Sequence, residues 1–88
     1  MSKASAYVVD FGQDRNIAAS MTEACDYLQI AYRLTASNKL VLAGDAVEQL
    51  RRQPADANGG ISDDDNGVPC VWMYGYSYPV KPAFGPVQ

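Results

Sequence analysis

The chain has no histidine in its 88 residues. That removes the imidazole on which most general bases and activated nucleophiles rely, and any metal site would have to be built from carboxylates. Cysteine is scarce too. Cys25 and Cys70 are separated by 44 residues, which matches neither zinc-ligand nor Cys-x-x-Cys spacing, so both are read as buried free thiols. No stretch approaches the roughly 18 consecutive apolar residues of a membrane span. Asp10 and Asp14 follow Met1 too closely to leave room for the apolar run of a signal peptide. A soluble, cytoplasmic protein with no membrane partner is expected, in the host cytoplasm if the chain is phage-encoded.

Positive charge is the next shortage. Lys and Arg number 7 against 10 Asp and Glu, a net charge of −3, and direct nucleic-acid binding needs a basic face to displace counterions from phosphates. There is no glycine-rich loop before a Lys-Ser or Lys-Thr pair, and no serine sits in a nucleophile elbow. Asp10, Asp14, Glu23 and Asp26 could supply paired carboxylates, but so short a chain has little room for a substrate cleft. Asp63-x-Asp65-x-Gly67 opens like a calcium loop and then fails: its sixth position is Val68, not Gly, and its twelfth is Tyr74, not Glu. No enzyme, cofactor or metal is expected.

What the chain does have is one strongly aromatic stretch, residues 69–80. At period two its even positions are Cys70, Trp72, Tyr74, Tyr76, Tyr78 and Val80, which predicts a single strand with an aromatic face. Each of the four aromatic side chains buries roughly 150–250 Å². Together they could cover a small core, or equally match the ~800 Å² that one partner commits to a standard interface.

The second feature is an isolated acidic segment. Residues 54–68 hold Asp56, Asp63, Asp64 and Asp65 and no base, leaving six acids and seven bases elsewhere, a balance of +1. With little to bury, 54–68 is expected to be a mobile surface loop suited to a basic partner surface, with Asn66-Gly67 turning the chain into the aromatic strand.

Residues 4–11 predict a strand apolar on both faces, placed centrally with the aromatic strand as its neighbour. Asp14 or Asn16 can start a helix, and Ser20 with Glu23 fits a capping box. A helix is expected from there to about Thr35, with Ala24, Tyr27, Leu28, Ala31 and Leu34 as its buried stripe and Asn38 able to take the left-handed conformation after it. Residues 40–43 predict a short strand, followed by a second helix over 46–53 with Asp45 and Glu48 as a further capping box and Pro54 as its stop. Beyond Val80, the prolines and glycine of residues 81–88 predict an extended arm with Phe84 near its end, which either hooks onto a neighbour or packs back over its own sheet. Pro79-x-x-Pro82 matches the minimal polyproline ligand, a short and frequent pattern.

Residues 22–30 and 42–50 resemble the first and the late helix of small excisionase-type winged helix-turn-helix proteins, over less than half of the chain. The spacer between them holds only Arg33 and Lys39, too short and too weakly basic for a recognition helix.

The expected architecture is a small α+β single domain over residues 1–80. It has an antiparallel or mixed sheet of about three strands with two helices on one face, and the arm 81–88 follows. The expected function is a non-enzymatic protein-interaction module that blocks or adapts a larger complex, such as a small phage or mobile-element inhibitor. Its partner would be a protein, including a nucleic-acid-binding complex with a basic surface. The binding candidates are Asp63, Asp64, Asp65, Trp72, Tyr74, Tyr76, Tyr78 and Phe84. The alternative is a structural subunit, a virion accessory or assembly protein, that joins its neighbours or further copies of itself through the arm.

Overall fold

The computed structural model describes residues 4–54 and 58–87. Asp56, one of the four acids of the segment 54–68, lies outside them. The elements are β1 (Ala6–Asp10), α1 (Arg15–Tyr27), β2 (Tyr32–Leu34), β3 (Lys39–Leu42), α2 (Gly44–Arg51), β4 (Ile61–Asp63), β5 (Pro69–Met73) and β6 (Tyr76–Ala83). The α+β class and the two helices are as expected. The sheet, however, has six strands and not about three, in the order β2-β3-β1-β6-β5-β4, and every pairing is antiparallel.

Three misread segments account for the extra strands. The aromatic stretch is a hairpin, β5 and β6, closed by Tyr74 and Gly75 at φ 52° and 84°. Two central residues with positive φ form the turn that matches strand twist, but Tyr is not a residue that announces it. The stretch after Tyr27 is likewise not helix. Gln29 adopts φ 60°, and the bonds Ile30 N–H to Cys25 O (2.8 Å) and Gln29 N–H to Asp26 O (3.1 Å) form a Schellman stop. Tyr32–Leu34 then pairs with β3. Finally, Ile61–Asp63 of the expected loop pairs with β5 as β4.

Of the expected helix starts, Asp14 holds and the two capping boxes do not. Asp14 caps α1, its carboxylate accepting the Ile17 N–H at 3.0 Å, so Ser20 and Glu23 lie within the helix instead of at its start. Ile17, Ala18, Met21 and Cys25 form the buried stripe, and Tyr27 is 87% exposed. Asp45 lies in the first turn of α2, whose cap, Ala43, makes no side-chain cap bond.

Register places Val9, Leu40, Leu42, Val71, Met73, Ile61 and Val80 on one side of the sheet. These form a single core with Met21 and Cys25 of α1 and Val47 and Leu50 of α2. Both helices therefore cover the same face. Gly59 shows how closely α1 approaches: at φ 89°, an added Cβ would stand 3.2 Å from the Ala24 Cβ. A side chain there would push the helix away.

Strand β6 pairs with β5 through Tyr76–Pro79 and with β1 through Val80–Ala83. Each half has a ladder on one side only, which is how Pro79 and Pro82 are accommodated. Lys81–Ala83 thus belongs to the sheet and not to an arm. Beyond it, the Arg33 guanidinium donates to the Val87 carbonyl at 2.8 Å, so the chain folds back over the uncovered face.

Asn38 braces the β2–β3 turn against the start of α1. It is fully buried at φ 66°, and its Nδ2 donates to Gly12 O and Asp14 O, both at 3.2 Å. Asn38→Gly keeps the backbone conformation but deletes both bonds, and should cost about 1–3 kcal/mol in a urea titration.

Burial, and secondarily Asp26, pushes the Cys25 thiol from 9.0 up to about 11. The folded state holds this proton more tightly than the unfolded chain, so the linked stability is intact below pH 9 and lost as pH rises through 11. A decline of roughly 2–3 kcal/mol across that window is expected, flattened in Cys25→Ala, by urea titration at stepped pH.

Candidate interaction surface

The two-residue turn at Tyr74-Gly75 reverses the parity of everything after it. Register pairs Met73 with Tyr76 and Trp72 with Ser77, so the even positions before the turn and those after it lie on opposite sides of the sheet. Trp72 and Cys70 sit on the side away from the helices. Tyr76, Tyr78 and Val80 sit on the helix side.

The aromatic residues accordingly have different surroundings. Trp72 is partly buried, and its indole N–H donates to Ser62 O at 3.2 Å, tying β5 to β4. Tyr78 packs edge-on against Phe11, ring centroids 5.0 Å apart and planes at 61°. That contact continues the β1–β6 register two residues beyond the ladder. Burial, then the nearby Asp14 carboxylate, raises the Tyr78 phenol above its ordinary value. Both Trp72 and Tyr78 serve packing.

Tyr74 and Tyr76 remain 60% and 63% exposed. The Tyr74 backbone N–H is held by Asn58 Oδ1 at 3.0 Å, and its hydroxyl lies 3.4 Å from Ser20 Oγ on α1. Ser20, Glu23, Ala24 and Tyr27 follow i, i+3, i+4, i+7 spacing and share one stripe of that helix. The hairpin tip thus meets α1 at Ser20, whose stripe also carries the exposed Glu23 and, two turns on, the exposed Tyr27. Tyr27 was missed from sequence because its helical spacing assigned it to the core.

The three aspartates lie at the other end of β5 and are not equivalent. Asp63 pairs with Arg51 at 3.2 Å, both side chains well exposed. Asp64 organises the β4–β5 turn: its Oδ1 accepts the N–H of Asn66 at 2.8 Å and of Val68 at 2.9 Å. Among the described residues only Asp65 makes no such bond, and it is exposed. Phe84, 65% exposed, stands past the end of β6. The structure does not gather the acidic and aromatic candidates into one site, because the length of β5 separates them.

Both thiols are free and buried. Cys70 is buried with its Sγ 3.4 Å from Val68 O, and burial, Asp64 and Asp63 all raise its pKa. Cys25 shifts the same way, and activation needs the opposite direction. Among the described residues no group of three or more His, Cys, Asp and Glu side chains could hold a metal ion, and no helix is long and apolar enough to cross a membrane.

No protein-family model matches the chain, and no curated protein or solved structure is significantly similar to it.

A bulky residue at φ 52° carries strain that a turn-forming residue would relieve. Tyr74→Asn creates the favoured Asn-Gly turn and removes a long, exposed hydroxyl contact together with the packing of a mostly exposed ring. Thermal unfolding should show it as stable as the parent or up to about 1 kcal/mol more so.

Proposed function

We propose that the chain is a non-enzymatic protein-interaction module that docks on a larger complex through the tyrosine surface of Tyr27, Tyr74 and Tyr76. The observation that carries this reading is Tyr74, an aromatic side chain held outward at φ 52° where Asn or Gly would be relaxed. Strain retained at an exposed position points to a role other than stability. Tyrosine suits that role, since it offers a large contact area with two rotatable bonds and is enriched among residues that dominate binding energy.

Acidity supplies the second half of the proposal. Asp65 at the β4–β5 turn and Glu23 beside the tyrosines favour a basic partner surface, such as that of a nucleic-acid-handling complex, which the module would block or adapt as small phage and mobile-element inhibitors do. Rim charges of this kind act mainly on association rate and salt dependence, while the aromatic anchors act on dissociation.

A second reading is favoured by Phe84, 65% exposed beyond β6: a structural subunit joined to its neighbours by the C-terminal segment. Truncation after Val80 would remove Lys81, Pro82 and Ala83 of β6, most of its ladder with β1, so the informative change is Phe84→Ser.

The test is affinity capture from bacterial lysate with nuclease present, across a salt series, followed by kinetics with the captured complex. Tyr76→Ala should weaken binding by about tenfold through faster dissociation. Asp65→Asn should slow association by roughly two- to threefold at low salt only. Retention that survives Tyr76→Ala and Tyr27→Ala unchanged, yet is lost in Phe84→Ser, would transfer the function to the C-terminal segment.

A further inference from the structure

The sheet face away from the helices has a charge opposite to the rest of the molecule. Around β1, register places Arg33, Lys39, Lys81 and Asp10 on it, three cations and one anion, a local balance of +2 in a chain of net charge −3. Val8, Val41, Pro79 and Trp72 share this side.

A groove of about 770 Å³ runs along this face, with Val8 and Pro79 among its lining and Pro86 and Val87 also bordering it. The Arg33 bond to the Val87 carbonyl holds that border in place. Lys39 and Lys81 also line the groove, as do Asp10 and Gly12. Asp10 forms no direct ion pair with either lysine: its Oδ1 accepts the Gly12 N–H at 2.8 Å, and among the described residues the only ion pair is Arg51–Asp63. A Cβ on Gly12 would meet no atom within 4 Å, so the groove is open beside Gly12.

We propose that this groove binds a small organic anion, a single carboxylate, sulfonate or phosphate-ester head on an apolar body. Its size falls within the roughly 300–1,000 Å³ of small-molecule sites. The placement of the cations sets the ligand class. Lys39 pairs with Asp10 and Lys81 with Val8, so the two lysines flank β1 on either side, two residues out of step. Strand spacing puts their Cα atoms roughly 12 Å apart, a span that two flexible four-carbon stems can close onto one anionic head. An acidic peptide would need cations repeated along the groove. A nucleic-acid strand would need more phosphate contacts and stacking rings than the single Trp72 on this face.

The site is independent of the tyrosine surface, which lies on the helix side. Titration of the full chain with sodium octanoate, followed by backbone amide NMR, should give saturable shifts centred on Val8, Lys39 and Lys81. Octanol and acetate should each need at least about tenfold higher concentration, because the site reads head and body together. Lys39→Gln with Lys81→Gln should raise the octanoate Kd roughly three- to tenfold, with the spectrum and thermal midpoint otherwise retained. Equal binding of octanol, shifts centred on Tyr74 and Tyr76, tighter binding of a Glu-rich hexapeptide, or no saturable octanoate binding would each overturn the assignment.

Discussion

The fold depends on one strand being shared between two ladders. β6 spends its first four residues on β5 and its last four on β1, and no other pairing joins the β4–β5 side of the sheet to the β1–β3 side. The long-range contact between Val9 and Val80 lies where the second ladder begins, with Phe11 and Tyr78 packed edge-on two residues further along each strand. Loop-closure entropy has to be overcome before these contacts form. The apolar pairs at the junction are the return on that cost. Prolines at 79 and 82 survive in a six-stranded sheet because each half of the strand has only one ladder to maintain.

The same hairpin that begins β6 divides the aromatic residues by role. A two-residue turn moves the side-chain alternation by one, so Trp72 braces the outer side while Tyr78 completes the core. Tyr74 and Tyr76, nearest the turn, are left outside the protection of either. Function is proposed where local conformation and local sequence disagree: a tyrosine in left-handed geometry, against a helix stripe that adds Tyr27.

Charge is partitioned by the sheet as well. The acids concentrated around the β4–β5 turn are partly committed to structure, Asp64 to the turn and Asp63 to Arg51. Arg33 and Lys39, close in the chain, and the distant Lys81 come together on the uncovered side because β3 and β6 both flank β1 and β2 continues the row. A net negative chain therefore presents one positive face.

The sequence by itself determined the class: the short run apolar on both faces that ends at Asp10, the Gly44-Asp45 break before α2, the left-handed Asn38 and the Asn66-Gly67 turn are local signals, and each acts through the residues beside it. It also marked the aromatic stretch as a whole, without deciding which of its rings face the core. Only the tertiary structure decided the rest. Gln29 ends α1 and Tyr74 turns β5 in conformations those residues do not favour, so no local propensity reports them. Three-residue strands such as β2 and β4 are too short to show a period and exist because β3 and β5 offer them an edge. Which side of the sheet a residue faces, and hence the split of the aromatic stretch and the gathering of the lysines, is a matter of register. A shift of one residue inverts it, and register is set by pairing between segments that the linear order keeps apart.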